Sequence, residues 1–266
     1  MNLPSVKIGN QLLKGNINHS VCRWCYEDIP LDLFAQKIKT MGIKAIDLLK
    51  PCEWKIVQKY GLVCSLATDT FTDICNGFND IKNHSCLQKK YSELIYKAAH
   101  AGIKKVIVFP GNRNGVSDSI GFENCAQGLD VIIKQAEKEN ITLVMELLNS
   151  KIDHPDYQCD YSSWGIELVD RIGAPNFKLL YDIYHMQIME GNIIATIQKY
   201  HTYFAHYHTG GVPGRNEINN SQELNYPAIM KAIVKTRYDG FVAQEFIPTY
   251  TNKLNALKEA ISICDI

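Results

Sequence analysis

The chain has 266 residues, 46% of them hydrophobic, and its 28 Lys+Arg balance its 28 Asp+Glu to a formal net charge of +0. That length can bury one large core, and about 250 residues is normal for one α/β barrel. Zero net charge gives no electrostatic reason to expect nucleic acid or an anionic membrane as partner, and no apolar run of about 18 residues marks a membrane span.

The 9 Cys are odd in number and scattered. Those such as Cys64 and Cys264 lie in apolar patterns and read as buried free thiols. Cys22-Arg23-Trp24-Cys25 is a lone CxxC; a zinc site usually needs a second such pair, and a redox motif needs the pair at a helix start. Reduced thiols point to a cytoplasmic setting, and Met1–Asn10 lacks the apolar core of a signal peptide.

In chain order, Lys14–Val21 reads as a first strand. Pro30 opens a helix over Leu31–Met41, with Leu33, Phe34, Ile38 and Met41 at helical spacing and Gly42 as its stop. Ala45–Leu49 is a second strand, Pro51–Tyr60 a short helix and Leu62–Ala67 a third strand. Thr68–Asn83 has no period and reads as a long loop. Helices over His84–His100 and Ile120–Glu139 bracket a fourth strand, Lys105–Phe109, and a turn-rich Pro110–Gly115. A fifth strand, Ile141–Glu146, precedes a helix over Ser162–Ile172. Strand six ends at Asp182, helix six spans Met186–Tyr200 and strand seven ends at His208. The glycine-rich run Gly210–Glu217, a helix over Asn225–Thr236, strand eight to Glu245 and a helix over Asn252–Ile263 complete the chain. Eight near-continuous apolar strands alternating with helices, without a composition break, predict a single (β/α)8 TIM barrel over 1–266.

Strands five to eight end in Glu146, Asp182, His208 and Glu245. Strand ends line the carboxyl mouth of a barrel. Three carboxylates and one imidazole there suit a divalent ion such as Mg²⁺, Mn²⁺ or Co²⁺, whereas Zn²⁺ more often collects His and Cys. Each residue alone has an ordinary explanation: a solvated loop Glu, a structural His, or, for Asp182, the cap of the following helix. Their occurrence at four consecutive strand ends points instead to a site. His185, three residues after Asp182, faces the same mouth and could hydrogen-bond a substrate oxygen. His206 lies on the same side of its strand as His208, one layer deeper, as a partner behind the metal ligands. Arg215, in the glycine-rich loop, has the fork for a carboxylate or phosphate.

The order Glu146…Asp182-x-x-His185…His206-x-His208…Arg215…Glu245, with the run Gly211-Val212-Pro213-Gly214-Arg215-Asn216-Glu217, resembles the hydroxypyruvate isomerase family of the xylose isomerase-like TIM barrel superfamily. Ketose 3-epimerases are close relatives. The resemblance spans essentially the whole chain and implies a divalent metal held by Glu146, Asp182, His208 and Glu245. It implies proton transfer by Glu146 and Glu245, and substrate contacts from His185 and Arg215. Hydroxypyruvate isomerases often carry Gln where this chain has His208, and the epimerases carry His. The family's Pro after the strand-five Glu is Leu147 here, while Asn149 is retained; a sugar-binding Glu of the epimerases is replaced by Ile152.

The resemblance thus implies an intramolecular isomerase of carbohydrate metabolism acting through an enediolate, with hydroxypyruvate going to tartronate semialdehyde. The alternatives are a ketose 3-epimerase, a metal-dependent phosphodiesterase of the endonuclease-IV type, and a non-catalytic sugar-binding barrel. Trp24 and Tyr26, after strand one, are expected to wall the pocket against water. The expected partner is a small-molecule substrate; homo-oligomerisation is left open.

Overall fold

Strands that are apolar on both faces must be covered on both faces, and here the chain closes on itself to do it. A computed structural model describes residues 13–266. Strands β1 (Asn18–Cys22), β2 (Ala45–Leu49), β3 (Val63–Ala67), β4 (Lys105–Val108), β5 (Thr142–Glu146), β6 (Phe177–Asp182), β7 (Phe204–Thr209) and β8 (Phe241–Gln244) pair in sequence order. All are parallel, and β8 pairs with β1 to close the barrel. Helices α1 (Leu31–Thr40), α2 (Pro51–Gln58), α3 (Ile81–His100), α4 (Asp118–Lys138), α5 (Ser162–Ile172), α6 (Ile183–Met189), α7 (Ile193–Tyr200), α8 (Tyr226–Lys235) and α9 (Lys253–Cys264) alternate with the strands. Their helical-spaced apolar positions, such as Leu129, Ile132, Ile133 and Ala136 of α4, are buried. Each large aliphatic so buried contributes about 1.5–3 kcal/mol. No helix among the described residues is long and apolar enough to cross a membrane.

The expected elements are present, with shifts that have local causes. Strand β1 begins at Asn18 rather than Lys14 because Lys14 and Asn16 are engaged with Asp265 and the Ile266 carbonyl at the other end of the chain. It runs through Cys22 into a 3₁₀ turn, Arg23–Tyr26. Helices α3 and α4 begin earlier than expected because Asp80 and Ser117 cap them. The expected sixth helix is two helices, α6 and α7, interrupted where Gly191 and Asn192 adopt positive φ of 65° and 50°. All nine cysteines are free, six of them buried, and Cys22 and Cys25 are both in the buried set. The absence of a leader, expected from Met1–Asn10, concerns residues outside those described.

Strand β2 carries an irregularity. Its register against β3 shifts on either side of Asp47, and the next residue, Leu48, has φ 58°. A left-handed backbone at a non-glycine residue is uncommon and costs of order 1–3 kcal/mol. Asp47 itself is wholly buried.

The end of the 68–80 loop, Gly77 to Asn79, is buried. Phe78 is fully buried against Tyr91, with ring centroids 5.4 Å apart. Phe78 N and Asn79 N donate to the Phe109 and Pro110 carbonyls at 3.3 and 2.7 Å. Gly77 permits this approach, since a Cβ there would lie 2.3 Å from the Phe109 oxygen. Gly77→Ala should therefore cost ~1–3 kcal/mol by overpacking, at about 2–4 °C of melting temperature per kcal/mol for a chain of this size. Thermal melting by circular dichroism reads this directly; an unchanged midpoint would mean that the loop can retreat from β4 without cost.

Candidate functional site

Register decides which side chains meet. On β6 and β7, Asp182 pairs with His208, and on β7 and β8, Thr209 pairs with Gln244, one residue before Glu245. Glu146 ends β5. Ligating atoms of Glu146, Asp182, His208 and Glu245 all lie within 4.8 Å of one another. His208 Nδ1 is the hub: Glu245 Oε2 is 2.9 Å away, Glu146 Oε1 3.2 Å and Asp182 Oδ2 3.9 Å. The four residues are buried. Capping and clustering prove compatible for Asp182. Its Oδ1 accepts the His185 N–H at 3.0 Å, as the cap of α6, while among the described residues Oδ2 and Glu146 Oε1 complete no hydrogen bond.

Burial and mutual repulsion make this cluster hold protons. Burial raises the Glu146 carboxyl above its ordinary value, and the charge of Glu245 adds to the shift. Asp182 is raised to about 8, first by burial and then by Glu245 and Glu146, against the pull of Arg215 and His208. Glu245 goes the other way: burial opposes its ionisation, but His208 and Arg215 outweigh burial and hold it well below the usual carboxylate range. Burial likewise opposes charge on His208, yet its acidic surroundings, Glu245 and Asp47 among them, hold it well above an ordinary imidazole. Two carboxyls of one cluster with opposite proton affinities suit an acid–base pair. The oxygen-rich donor set, with two carboxylate oxygens that lack partners, fits a hard divalent cation.

Arg215 reaches the same group from the loop after β7. Its Nη2 is 2.5 Å from Glu245 Oε2 and 3.7 Å from Asp182 Oδ2. Its guanidinium lies between two rings, 5.1 Å from the Trp24 centroid and 5.5 Å from that of Tyr184. The loop is held rigidly. Gly211 and Asn216 form an antiparallel bridge, and a Cβ on Gly211 would meet the Glu217 carbonyl at 2.3 Å. The buried Glu217 carboxylate accepts from Thr249 N, Thr249 Oγ1 and Tyr250 N, tying the loop to the segment that follows Glu245. Trp24 also donates from Nε1 to Glu245 Oε1 at 2.7 Å. Tyr26, expected beside it in the pocket wall, is instead wholly buried and stacked on Phe34 at 4.9 Å, because the 3₁₀ turn directs it into the core.

His185 is fully buried, and its hydrogen bonds set its tautomer. Asn149 Oδ1 accepts two backbone N–H groups, from Ile152 and Asp153, which fixes the amide with its Nδ2 toward Asp153 and His185. Both the Asn149 backbone N, at 3.2 Å, and Nδ2, at 2.7 Å, face His185 Nδ1. Nδ1 is therefore the acceptor and Nε2 carries the hydrogen. Burial, and then Arg215, keep the ring neutral by holding its pKa well below the ordinary value. Among the described residues Nε2 has no hydrogen-bond partner. His154, whose ring centroid is 5.4 Å from that of His185, adds a further imidazole on the same side.

Beneath the cluster is a group that strand-end reasoning does not find. Asp47, from β2, meets His206 Nε2 through Oδ2 and Ser65 Oγ through Oδ1, and its Oδ2 lies 3.2 Å from His208 Nε2. In the barrel β7 and β2 are separated by β8 and β1, so these contacts cross the interior. His206 is indeed close behind His208, with centroids 5.3 Å apart, but the two communicate through Asp47. Cys22 Sγ approaches His208 Nε2 at 3.7 Å. A charged residue inside the apolar run Ala45-Ile46-Asp47-Leu48-Leu49 is the sequence signal that marks this position.

Comparison with known proteins agrees with this architecture. The chain is 30% identical over 131 residues to the putative hydroxypyruvate isomerase of Homo sapiens, covering 49% of this chain and 46% of that protein. It is 34% identical over 116 residues to the hydroxypyruvate isomerase of Escherichia coli (strain K12), covering 44% of each. The matched stretch thus spans about half the length of these relatives or less. Among solved structures, an AP endonuclease of family 2 from Brucella melitensis superposes with a TM-score of 0.80 at 19% identity, over 90% of this chain and 96% of that one, a likeness of fold. The family model described as xylose isomerase-like TIM barrel matches residues 54–264, and the chain belongs to that family.

Proposed function

We propose that this chain is a metal-dependent isomerase that moves a proton between adjacent carbons of a small α-hydroxycarbonyl compound, with hydroxypyruvate to tartronate semialdehyde as its reaction. The observation that carries this is the buried cluster of Glu146, Asp182, His208 and Glu245, whose ligating atoms lie within 4.8 Å of one another. Glu146, Asp182, His208 and Glu245 would hold Mg²⁺, Mn²⁺ or Co²⁺, which when bound supplies a fixed positive charge for the negative charge that develops on the substrate as its C–H proton leaves.

The protein's own groups do the rest. Glu146 and Glu245, the latter oriented by the Trp24 N–H, are placed to move the proton: one takes it from the hydroxyl-bearing carbon, a proton is returned to the adjacent carbon, and the hydroxyl proton passes to the former carbonyl oxygen. Arg215 offers its fork to the substrate carboxylate, and its Nε is a buried donor with no hydrogen-bond partner among the described residues. Trp24 and Tyr184 hold the guanidinium plane between them and keep water from it. The unpartnered Nε2–H of His185 donates to a substrate oxygen. A ketose 3-epimerase would use the same acid and base on opposite faces of one carbon, and His208 in place of Gln favours that second reading. Turnover of hydroxypyruvate, set against solvent-deuterium exchange at C3 of free ketoses by the metal-loaded protein, separates the two.

Glu245→Gln keeps the shape of the side chain but removes one of the two carboxylates. Turnover should fall by roughly 10²–10⁴-fold, with the fold retained by circular dichroism; turnover near that of the unaltered chain would sink the two-carboxylate scheme.

Metal binding should also depend on pH. Asp182, raised from 3.8 to about 8, and His208, raised well above 6.5, favour their protonated forms in the folded chain. Their contribution to metal-free stability is therefore complete below 3.8 and 6.5, respectively, and is lost as pH rises through the folded values. A bound ion replaces those protons. Mn²⁺ should accordingly raise the melting temperature more at about pH 8.5 than at about pH 6. The opposite order in a calorimetric scan would contradict this account of the cluster.

A further inference from the structure

We infer that Asp47 is a positioning residue for the metal site: it holds the Nε2–H edge of His208 so that Nδ1 faces Glu146, Asp182 and Glu245. This rests on the metal-site reading above. An ionised carboxylate only accepts hydrogen bonds. Whatever faces Asp47 Oδ2 must bring a hydrogen; two groups do face it, His206 Nε2 and, at 3.2 Å, His208 Nε2. In the neutral ring a hydrogen on Nε2 leaves the lone pair on Nδ1, the nitrogen 2.9 to 3.9 Å from the three carboxylates. A metal-binding imidazole is generally oriented in this way, by a carboxylate on its far nitrogen.

Asp47 is itself held on both oxygens, by Ser65 Oγ at Oδ1 and His206 Nε2 at Oδ2. His206 also packs against the face of His208, the two rings inclined at 80°. A wholly buried carboxylate is expensive unless its lone pairs are used, and every partner it has here is part of this one network. The left-handed backbone of Leu48, directly after it, is a second cost incurred at the same place. An apolar residue at position 47 would avoid both costs but would leave only the Cys22 thiol, 3.7 Å from Nε2, at the far edge of His208. Asn at 47 removes the charge that fixes the Nε2 hydrogen. With its oxygen toward the histidines it still accepts, more weakly than a carboxylate, and its Nδ2 meets Ser65 Oγ, which can accept; with its Nδ2 toward them, an imidazole must present a lone pair at Nε2 and its hydrogen moves to Nδ1, where the ion should bind.

The test is Mn²⁺ binding by titration calorimetry to the unaltered chain, Asp47→Asn and Ser65→Ala, with the visible spectrum of the Co²⁺-loaded proteins and the melting of the metal-free ones. Asp47→Asn should lose about 10–100-fold in Mn²⁺ affinity and change the Co²⁺ spectrum. Ser65→Ala, which keeps the carboxylate but frees one oxygen, should lose less in the same direction. Unchanged affinity and spectrum in a folded Asp47→Asn would overturn the inference while leaving the metal site standing. Should Asp47→Asn fail to fold, Ser65→Ala decides: weaker Mn²⁺ binding at a preserved metal-free melting temperature supports the role, and unchanged binding refutes it. If the unaltered chain takes up no Mn²⁺, the site reading itself fails, and the role of Asp47 fails with it.

Discussion

Three carboxylates whose oxygens lie within 4.8 Å of one another, out of water, cannot all be ionised unless positive charge stands among them. Much of the carboxyl end of this barrel is arranged around that constraint. The chain supplies Arg215 and His208 as internal cations, and both lean toward Glu245, which is why Glu245 alone of the three stays readily ionised. Glu146 and Asp182 take up the remaining strain by favouring protons. Asymmetry between otherwise similar carboxyls thus arises from where the cations sit, not from the carboxyls themselves.

Placing a guanidinium within hydrogen-bonding distance of Glu245 requires a loop that does not wander. The Gly211–Asn216 bridge, the close approach at Gly211 and the Glu217 anchor convert a glycine-rich segment into a fixed arm. The same economy governs His185, where one amide, Asn149, oriented by two backbone N–H groups, decides which imidazole nitrogen carries the hydrogen. In both cases the reactive-looking side chain has little freedom, and the residues that remove its freedom are uncharged or lie away from the cluster.

The parts of this arrangement legible in the sequence share a property: they sit where a local pattern ends. Strands β5 to β8 announce Glu146, Asp182, His208 and Glu245 because an apolar run stops at a polar residue, and the barrel itself follows from eight such runs. Asp47 breaks that logic by sitting within its run, where a two-residue periodicity could place it on either face; only the contacts across the barrel show that it points inward. The break between α6 and α7 was written in Gly191 and Asn192, but the apolar period continues across it and masks the turn. Tyr26 was misjudged for a related reason: a 3₁₀ turn rotates successive side chains by about 120°, so Trp24 and Tyr26 do not share a face as they would on a strand, and one reaches Glu245 while the other enters the core.

The loop after β5 bears on which substrate the site fits. At the position where the resemblance leads one to expect a sugar-binding Glu, Ile152 is 64% exposed. Its neighbour Asp153 has one oxygen, Oδ2, engaged, accepting from Asn149 Nδ2 and from the Tyr184 hydroxyl at 2.6 and 2.8 Å. What the site offers is donors: the Nε of Arg215 and the Nε2 of His185, both buried and without hydrogen-bond partners among the described residues. Unmatched buried donors favour a ligand rich in acceptors. A short keto acid, with a carboxylate and a carbonyl close together, meets that demand in fewer atoms than a ketose, and this supports hydroxypyruvate over a free sugar even though His208 pulls the comparison the other way.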